Sequence, residues 1–113
     1  MKIHEMKLHP APFLLISEGK KTVEMRLNDE RRRDIRIGDQ IEFTNRVNGS
    51  KISVLVKGCV AFSSFSELYS AYPKEKIGYL PTETANPEDM EQYYSREDIE
   101  KYGALAIEIE LLG

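Results

Sequence analysis

Gln40-Ile41-Glu42-Phe43-Thr44-Asn45-Arg46-Val47-Asn48-Gly49-Ser50-Lys51, continuing through Ile52 to Phe62, reads as two strands and the turn between them. Ile41 and Phe43 alternate with polar neighbours and point inward from a strand over 40–45. Asn48-Gly49, with strand-like sequence on both sides, is the signal of a two-residue hairpin. The chain then returns as a long strand from Lys51 to Phe62. Gly58, inside that strand, marks a bulge or bend that lets a sheet curl.

Working outward, Ser64-Phe65-Ser66-Glu67 has capping-box spacing for a helix that Pro73 ends. Residues 74–86 are irregular, with Gly78 and Pro81 as punctuation. Asn86-Pro87-Glu88-Asp89 and Ser95-Arg96-Glu97-Asp98 each open a further short helix, and Gly103 stops the second. From Ala104 the sequence alternates Leu105, Ile107, Ile109 and Leu111 with Glu108 and Glu110, as a half-buried last strand does. On the other side, residues 3–8 form a short strand with His4, Met6 and Leu8 of one parity. Pro10 and Pro12 begin a helix that Gly19 terminates. About five strands with curling signals and inserted short helices predict an α+β chain, a small mostly antiparallel β-barrel, as a single domain over 1–113.

Chemistry concentrates in Gly19-Lys20-Lys21-Thr22-Val23-Glu24-Met25-Arg26. In an extended chain Val23, Met25 and Leu27 face a core, while Thr22, Glu24 and Arg26 line the opposite face. Lys20, Lys21, Thr22, Glu24 and Arg26 are therefore the candidate ligand-binding residues. Lys21 is expected at the mouth of that site, outside the core. Lys21 with Glu24 is the candidate catalytic pair, since a carboxylate beside an ammonium group can act as a general base. Arg26 could hold a phosphate. A plain strand with a solvated outer face and an exposed Glu/Arg pair is the competing reading. Arg31, Arg32, Arg33 and Arg36 are candidates for an RNA-backbone grip, although the acids among them fit a solvated loop equally well.

The 113 residues carry a net charge of −3, with 41% hydrophobic and 31% charged residues, the balance of a soluble globular protein. Charge is uneven: residues 1–57 hold 12 Lys/Arg against 8 Asp/Glu, a local +4, and residues 58–113 hold 4 against 11, a local −7. An anionic partner would meet the first half. Cys59 is alone, which excludes an intramolecular disulfide, and His4 and His9 lack metal-ligand spacing; no metal and no cofactor are expected. His4 has the parity of a hydrogen-bonded structural histidine. Charges in Met1–Lys7 do not suit a signal peptide, and no apolar run suits a membrane span, so a cytoplasmic location without membrane contact is expected.

The chain resembles the ASCH domain, a branch of the PUA-like superfamily. The resemblance lies in His4-Glu5-Met6-Lys7-Leu8, Pro12-Phe13, Ile16, Gly19, Lys21-Thr22, Glu24 and Arg26-Leu27-Asn28-Asp29, then Arg32, Ile35, Gly38-Asp39, Ile41 and Phe43. Tyr93-Tyr94-Ser95, Glu97, Lys101-Tyr102-Gly103 and Ala106-Ile107-Glu108-Ile109 extend it to nearly the whole chain. It implies a PUA-like β-barrel with a cleft along Lys20–Arg26 that binds RNA or a nucleotide. Some similar proteins are amidohydrolases of N4-acetylcytidine, and others are ribonucleases. In the amidohydrolases this segment carries a lysine and, three residues later, a threonine nucleophile. Lys21 matches the lysine, but Glu24 stands at the threonine position, so the carry-over to a modified-nucleoside hydrolase is partial. Glu67, Glu75 or Glu83 could supply the distal acid of such a site. A third reading is a protein-interaction adaptor that docks through the acidic second half.

Overall fold

The computed structural model describes residues 1–113. Five strands form one curled sheet: β1 (Ile3–Leu8), β2 (Val23–Leu27), β3 (Gln40–Asn45), β4 (Lys51–Phe62) and β5 (Ala104–Leu111), in the order β1-β3-β4-β5-β2. Only β1 and β3 run parallel; the other three pairings are antiparallel. Three short helices, α1 (Pro10–Ser17), α2 (Phe65–Ala71) and α3 (Arg96–Tyr102), and two 3-10 turns, Arg32–Asp34 and Pro87–Gln92, fill the connections. The fold is thus the expected α+β arrangement of a curled, mostly antiparallel sheet with short helices inserted. It stops at a half-barrel, because β1 and β2 are the two free edges and do not pair.

The signals that end and begin elements act where the sequence places them. Ser64, Asn86 and Ser95 accept hydrogen bonds from the amides of Glu67, Glu88 and Asp98, capping their helices. The β4–β5 register slips between Val56 and Gly58, which puts a bulge at the expected break. The β3–β4 connection differs from expectation. Asn45 exchanges backbone hydrogen bonds with Ser50 and Gly49, leaving a longer loop than the two-residue turn. Among its residues only Gly49 has a positive φ, whereas a type I′ turn would need Asn48 there as well. The Asn45 side chain instead accepts from the Val47 amide, and Asn48 accepts from Ser50, so two side chains organise the loop.

The inside of the curl is apolar. Ile41, Phe43, Val54 and Ile107 are fully enclosed there, with Phe13 and Ile16 of α1 closing one end. A second cluster lies on the opposite face of β2 and β5, where Val23, Met25 and Leu27 meet Phe65, Leu68, Ile77 and Met90. His4 is a structural histidine, as its parity implies. Its Nε2 lies 2.8 Å from Asp39, which also accepts from the Lys2 and Arg36 amides. The His4 hydrogen bond, opposed by burial and aided by those amides, holds the Asp39 carboxyl down at about 2.

Gly103 joins α3 to β5 with φ 74° and ψ −166°, a conformation essentially reserved for glycine. A Cβ there would stand 2.6 Å from the Phe62 carbonyl oxygen, a backbone atom that cannot step aside. Gly103→Ala is expected to cost about 2–3 kcal/mol of stability in urea unfolding. A loss under about 0.5 kcal/mol, the ordinary range for a surface change, would contradict this reading of the junction.

Candidate functional site

Residues directly opposite on paired strands share a face. Glu24 pairs with Ile107 and Arg26 with Leu105, both of which line the inside of the curl. Glu24 and Arg26 therefore point inward, at the open end between the edge strands. The exposed outer face of the competing reading is absent: β2 is covered on both sides, and Glu24 is 3% exposed. Lys21 is buried too, at 8%, which corrects its expected place at the mouth. The cause is residues 74–79, which fold back over it. The Lys76 carbonyl accepts from the Thr22 and Val23 amides, and Gly78 lies against the lysine stem, with only 3.1 Å between a Cβ there and Lys21 Cδ.

These three side chains form one unit. Lys21 Nζ lies 2.8 Å from Glu24 Oε1, while Arg26 Nε and Nη2 lie 2.9 and 2.8 Å from Oε2. Arg26 Nη2 also donates to the Lys7 carbonyl at 3.3 Å, so its guanidinium spans the gap between β2 and β1. Burial alone would raise the pKa of Glu24. The charges of Lys21 and Arg26 and their hydrogen bonds outweigh it, bringing the carboxyl down to about 2. For Arg26, Glu24 and Tyr94 likewise override desolvation and raise the guanidinium pKa.

The unit lies in the wall of a cleft of about 860 Å³. Its rim includes Leu14, Leu80 and Tyr93, apolar or aromatic side chains between 45% and 55% exposed. Tyr93 stands between His9 and Tyr94, with ring centroids 6.2 and 6.5 Å away. One wall is tied by Tyr79, whose hydroxyl donates to Asp89 at 2.6 Å and meets that of Tyr69 at 2.9 Å. Burial, with the Asp89 and Tyr69 hydrogen bonds, pushes the Tyr79 phenol well above its ordinary range.

Of the candidate residues, Lys21, Glu24 and Arg26 come together in the cleft, whereas Lys20 and Thr22 do not line it. Lys20 is exposed and pairs with Glu18 at 3.4 Å. Arg31 and Arg32 reach a second, basic groove beside the cleft; Arg33 and Arg36 line neither. Arg33 donates to the Asn28 carbonyl. Among the distal acids, Glu83 reaches the cleft and Glu67 and Glu75 do not. Sequence reasoning passed over Lys7, Arg46, Leu80 and Asp89. Nothing local marks them, since they converge only through the β1–β3 pairing and the fold of residues 72–92. No three His, Cys, Asp or Glu side chains assemble into a group that could hold a metal. No helix is long and apolar enough to cross a membrane.

A family model for the ASCH domain matches residues 6–113. The chain belongs to the ASCH domain family. Solved structures are similar to this chain over nearly all of its length. Hypothetical protein PH0355 is 40% identical over 99% of this chain and 100% of its own, with a TM-score of 0.82. Protein PF0455 from Pyrococcus furiosus is 37% identical over 99% of this chain and 98% of its own, at 0.74. At 20% identity, the S128A mutant of the ASCH protein from Zymomonas mobilis shares the fold, with a TM-score of 0.67 over 96% of this chain and 67% of its own. No curated protein matches.

Proposed function

We propose that this ASCH domain binds RNA or a nucleotide, with a base held in the cleft against Lys21, Glu24 and Arg26. The observation that carries the reading is a buried ionic triad at the open end of an otherwise apolar interior. Such a triad is a poor choice for stability alone, because desolvation cancels much of its attraction. It does offer directed hydrogen bonding. A carboxylate has about four acceptor positions, and three contacts occupy Glu24. One remains for an exocyclic amino group. The Lys21 ammonium retains donors for a ring nitrogen or carbonyl, and the aromatic rim offers surfaces for stacking.

Hydrolysis of a modified nucleoside or of RNA through Lys21 and Glu24 is the weaker reading. A general base works best with a pKa near the operating pH, and Glu24 is held at about 2 by its two cations. Calorimetry with cytidine, uridine and adenosine monophosphates, alongside turnover assays with N4-acetylcytidine and a short RNA, tests the choice. Binding without turnover is expected, with preference for bases that carry an amino group. Glu24→Gln should reverse that preference by about 10-fold, since the new amide donates where the carboxylate accepted. Turnover abolished by Glu24→Gln would instead establish hydrolysis, and absence of binding to all three nucleotides would remove the proposal.

A further inference from the structure

β1 is a free edge of the sheet, and its backbone leaves hydrogen-bonding groups unused. The Lys2 and Leu8 carbonyls accept from the Gln40 and Arg46 amides, so the even-numbered residues of β1 face β3. The amides and carbonyls of Ile3, Glu5 and Lys7 point the other way. Lys7 bears this out, for its carbonyl accepts from the Arg26 guanidinium across the gap to β2. Those of Ile3 and Glu5, both exposed residues, meet no partner. Along this edge runs the second groove, about 800 Å³ in volume, with Lys2 and the stretch His4–Lys7 in its lining. Seven Lys or Arg side chains line it against two acids, Glu5 and Asp34, in a chain whose net charge is −3. Arg31 and Arg46 make no ion pair. Lys2 with Asp34 and Lys51 with Glu42 are exposed pairs, of the kind that contributes little and yields readily to a better anion.

We propose that this edge docks an acidic, extended segment of another protein, which adds to the sheet as a further strand beside Ile3–Met6. Strand addition draws its affinity from main-chain hydrogen bonds and its selectivity from side chains at alternate positions. Both halves are present here: unpaired donors and acceptors at Ile3 and Glu5, and cations along the groove to receive carboxylates. A peptide backbone alternates donors and acceptors at the spacing of the edge, whereas a phosphodiester chain offers acceptors alone and leaves the Ile3 and Glu5 carbonyls unserved. Charged side chains on the edge, Glu5 and Lys7, deter purely apolar strands, and the positive balance of the groove admits an acidic one. Arg26, seated on the Lys7 carbonyl, sets the end of the docked segment.

The test measures fluorescence anisotropy of a labelled, end-blocked heptapeptide that alternates glutamate and valine, with the whole chain. Two further versions carry N-methyl groups, one on every glutamate and one on every valine, so that each removes the donors of one strand edge. One of them, the one whose donors face β1, should bind at least about 10-fold weaker than the parent, and the other should stay within about twofold. Arg31→Gln/Lys51→Gln, which changes the groove and not the cleft, should weaken the parent peptide by about 10-fold. Glu5→Pro removes an edge amide that the β1–β3 ladder does not use, and should weaken it by a similar factor with the urea midpoint unchanged. Should that variant unfold, the N-methylated pair decides on the unaltered protein. Equal binding of the two N-methylated versions, equal binding of a lysine–valine counterpart, or no binding of the parent at millimolar concentration would overturn the proposal. So would a short RNA that binds with the same sensitivity to Arg31→Gln/Lys51→Gln where the peptide does not, which would give the groove to the nucleic acid.

Discussion

Glu24→Ala is expected to lower the free energy of unfolding by about 3–5 kcal/mol, the usual consequence of leaving buried charge without its partner. Two cations, Lys21 at 2.8 Å and Arg26 at 2.8 Å, would remain in a site that excludes most water. The pH dependence gives an independent measure. Glu24 falls from 4.5 to about 2 on folding, so its contribution is fully present above about 4.5 and is lost as pH drops through about 2. A shift of that size corresponds to roughly 3 kcal/mol, in line with the mutational figure. Urea unfolding at a series of pH values should show the wild type losing stability across this window. Glu24→Gln should show a correspondingly flatter profile. Parallel profiles, or a Glu24→Ala cost under about 1 kcal/mol, would mean that the triad behaves as an exposed pair.

The second expectation separates folding from function. In the combined variant Lys21→Met, Glu24→Leu, Arg26→Met, apolar side chains of similar length replace all three ions. Replacing a complete buried ion group in this way is commonly neutral or stabilising by about 1–4 kcal/mol. The neighbours suit the change: Glu24 faces the same interior as Ile107, and the Lys21 stem already packs against Gly78. The variant should therefore fold with stability equal to or above that of the wild type, while nucleotide affinity falls by at least about 100-fold through loss of the charge-assisted hydrogen bonds. A folded variant that retained affinity would place the binding site elsewhere. A variant that failed to fold would make the triad a structural element first.

Much of this architecture is legible in local chemistry. Alternation in 40–45 and 104–111, the caps at Ser64, Asn86 and Ser95, and the break at Gly58 each specify their element through nearest neighbours alone. What local pattern could not supply was the order of strands. The parallel pairing of β1 with β3 joins residues about 37 apart, and it brings Lys7 and Arg46 to Arg26. The alternation of Val23, Glu24, Met25 and Arg26 correctly divides the faces, but period two cannot say whether the polar face meets solvent. Here it meets the inside of the curl. The burial of Lys21 depends on residues 74–79 folding back, a segment without periodicity. Asn48-Gly49 misled for a related reason: the Asn45 side chain offers the loop an alternative set of hydrogen bonds that the dipeptide alone does not disclose.

The central claim, that the cleft closed by the Lys21–Glu24–Arg26 triad is the ligand site, is tested most directly by titrating the isotope-labelled protein with cytidine monophosphate and following amide chemical shifts. The account predicts changes concentrated at residues 21–26, 78–80 and 93–94, all in or beside the cleft, with Ile37, Val60 and Leu112 unmoved. Shifts centred on those last three residues, or no shifts at millimolar nucleotide, would contradict it.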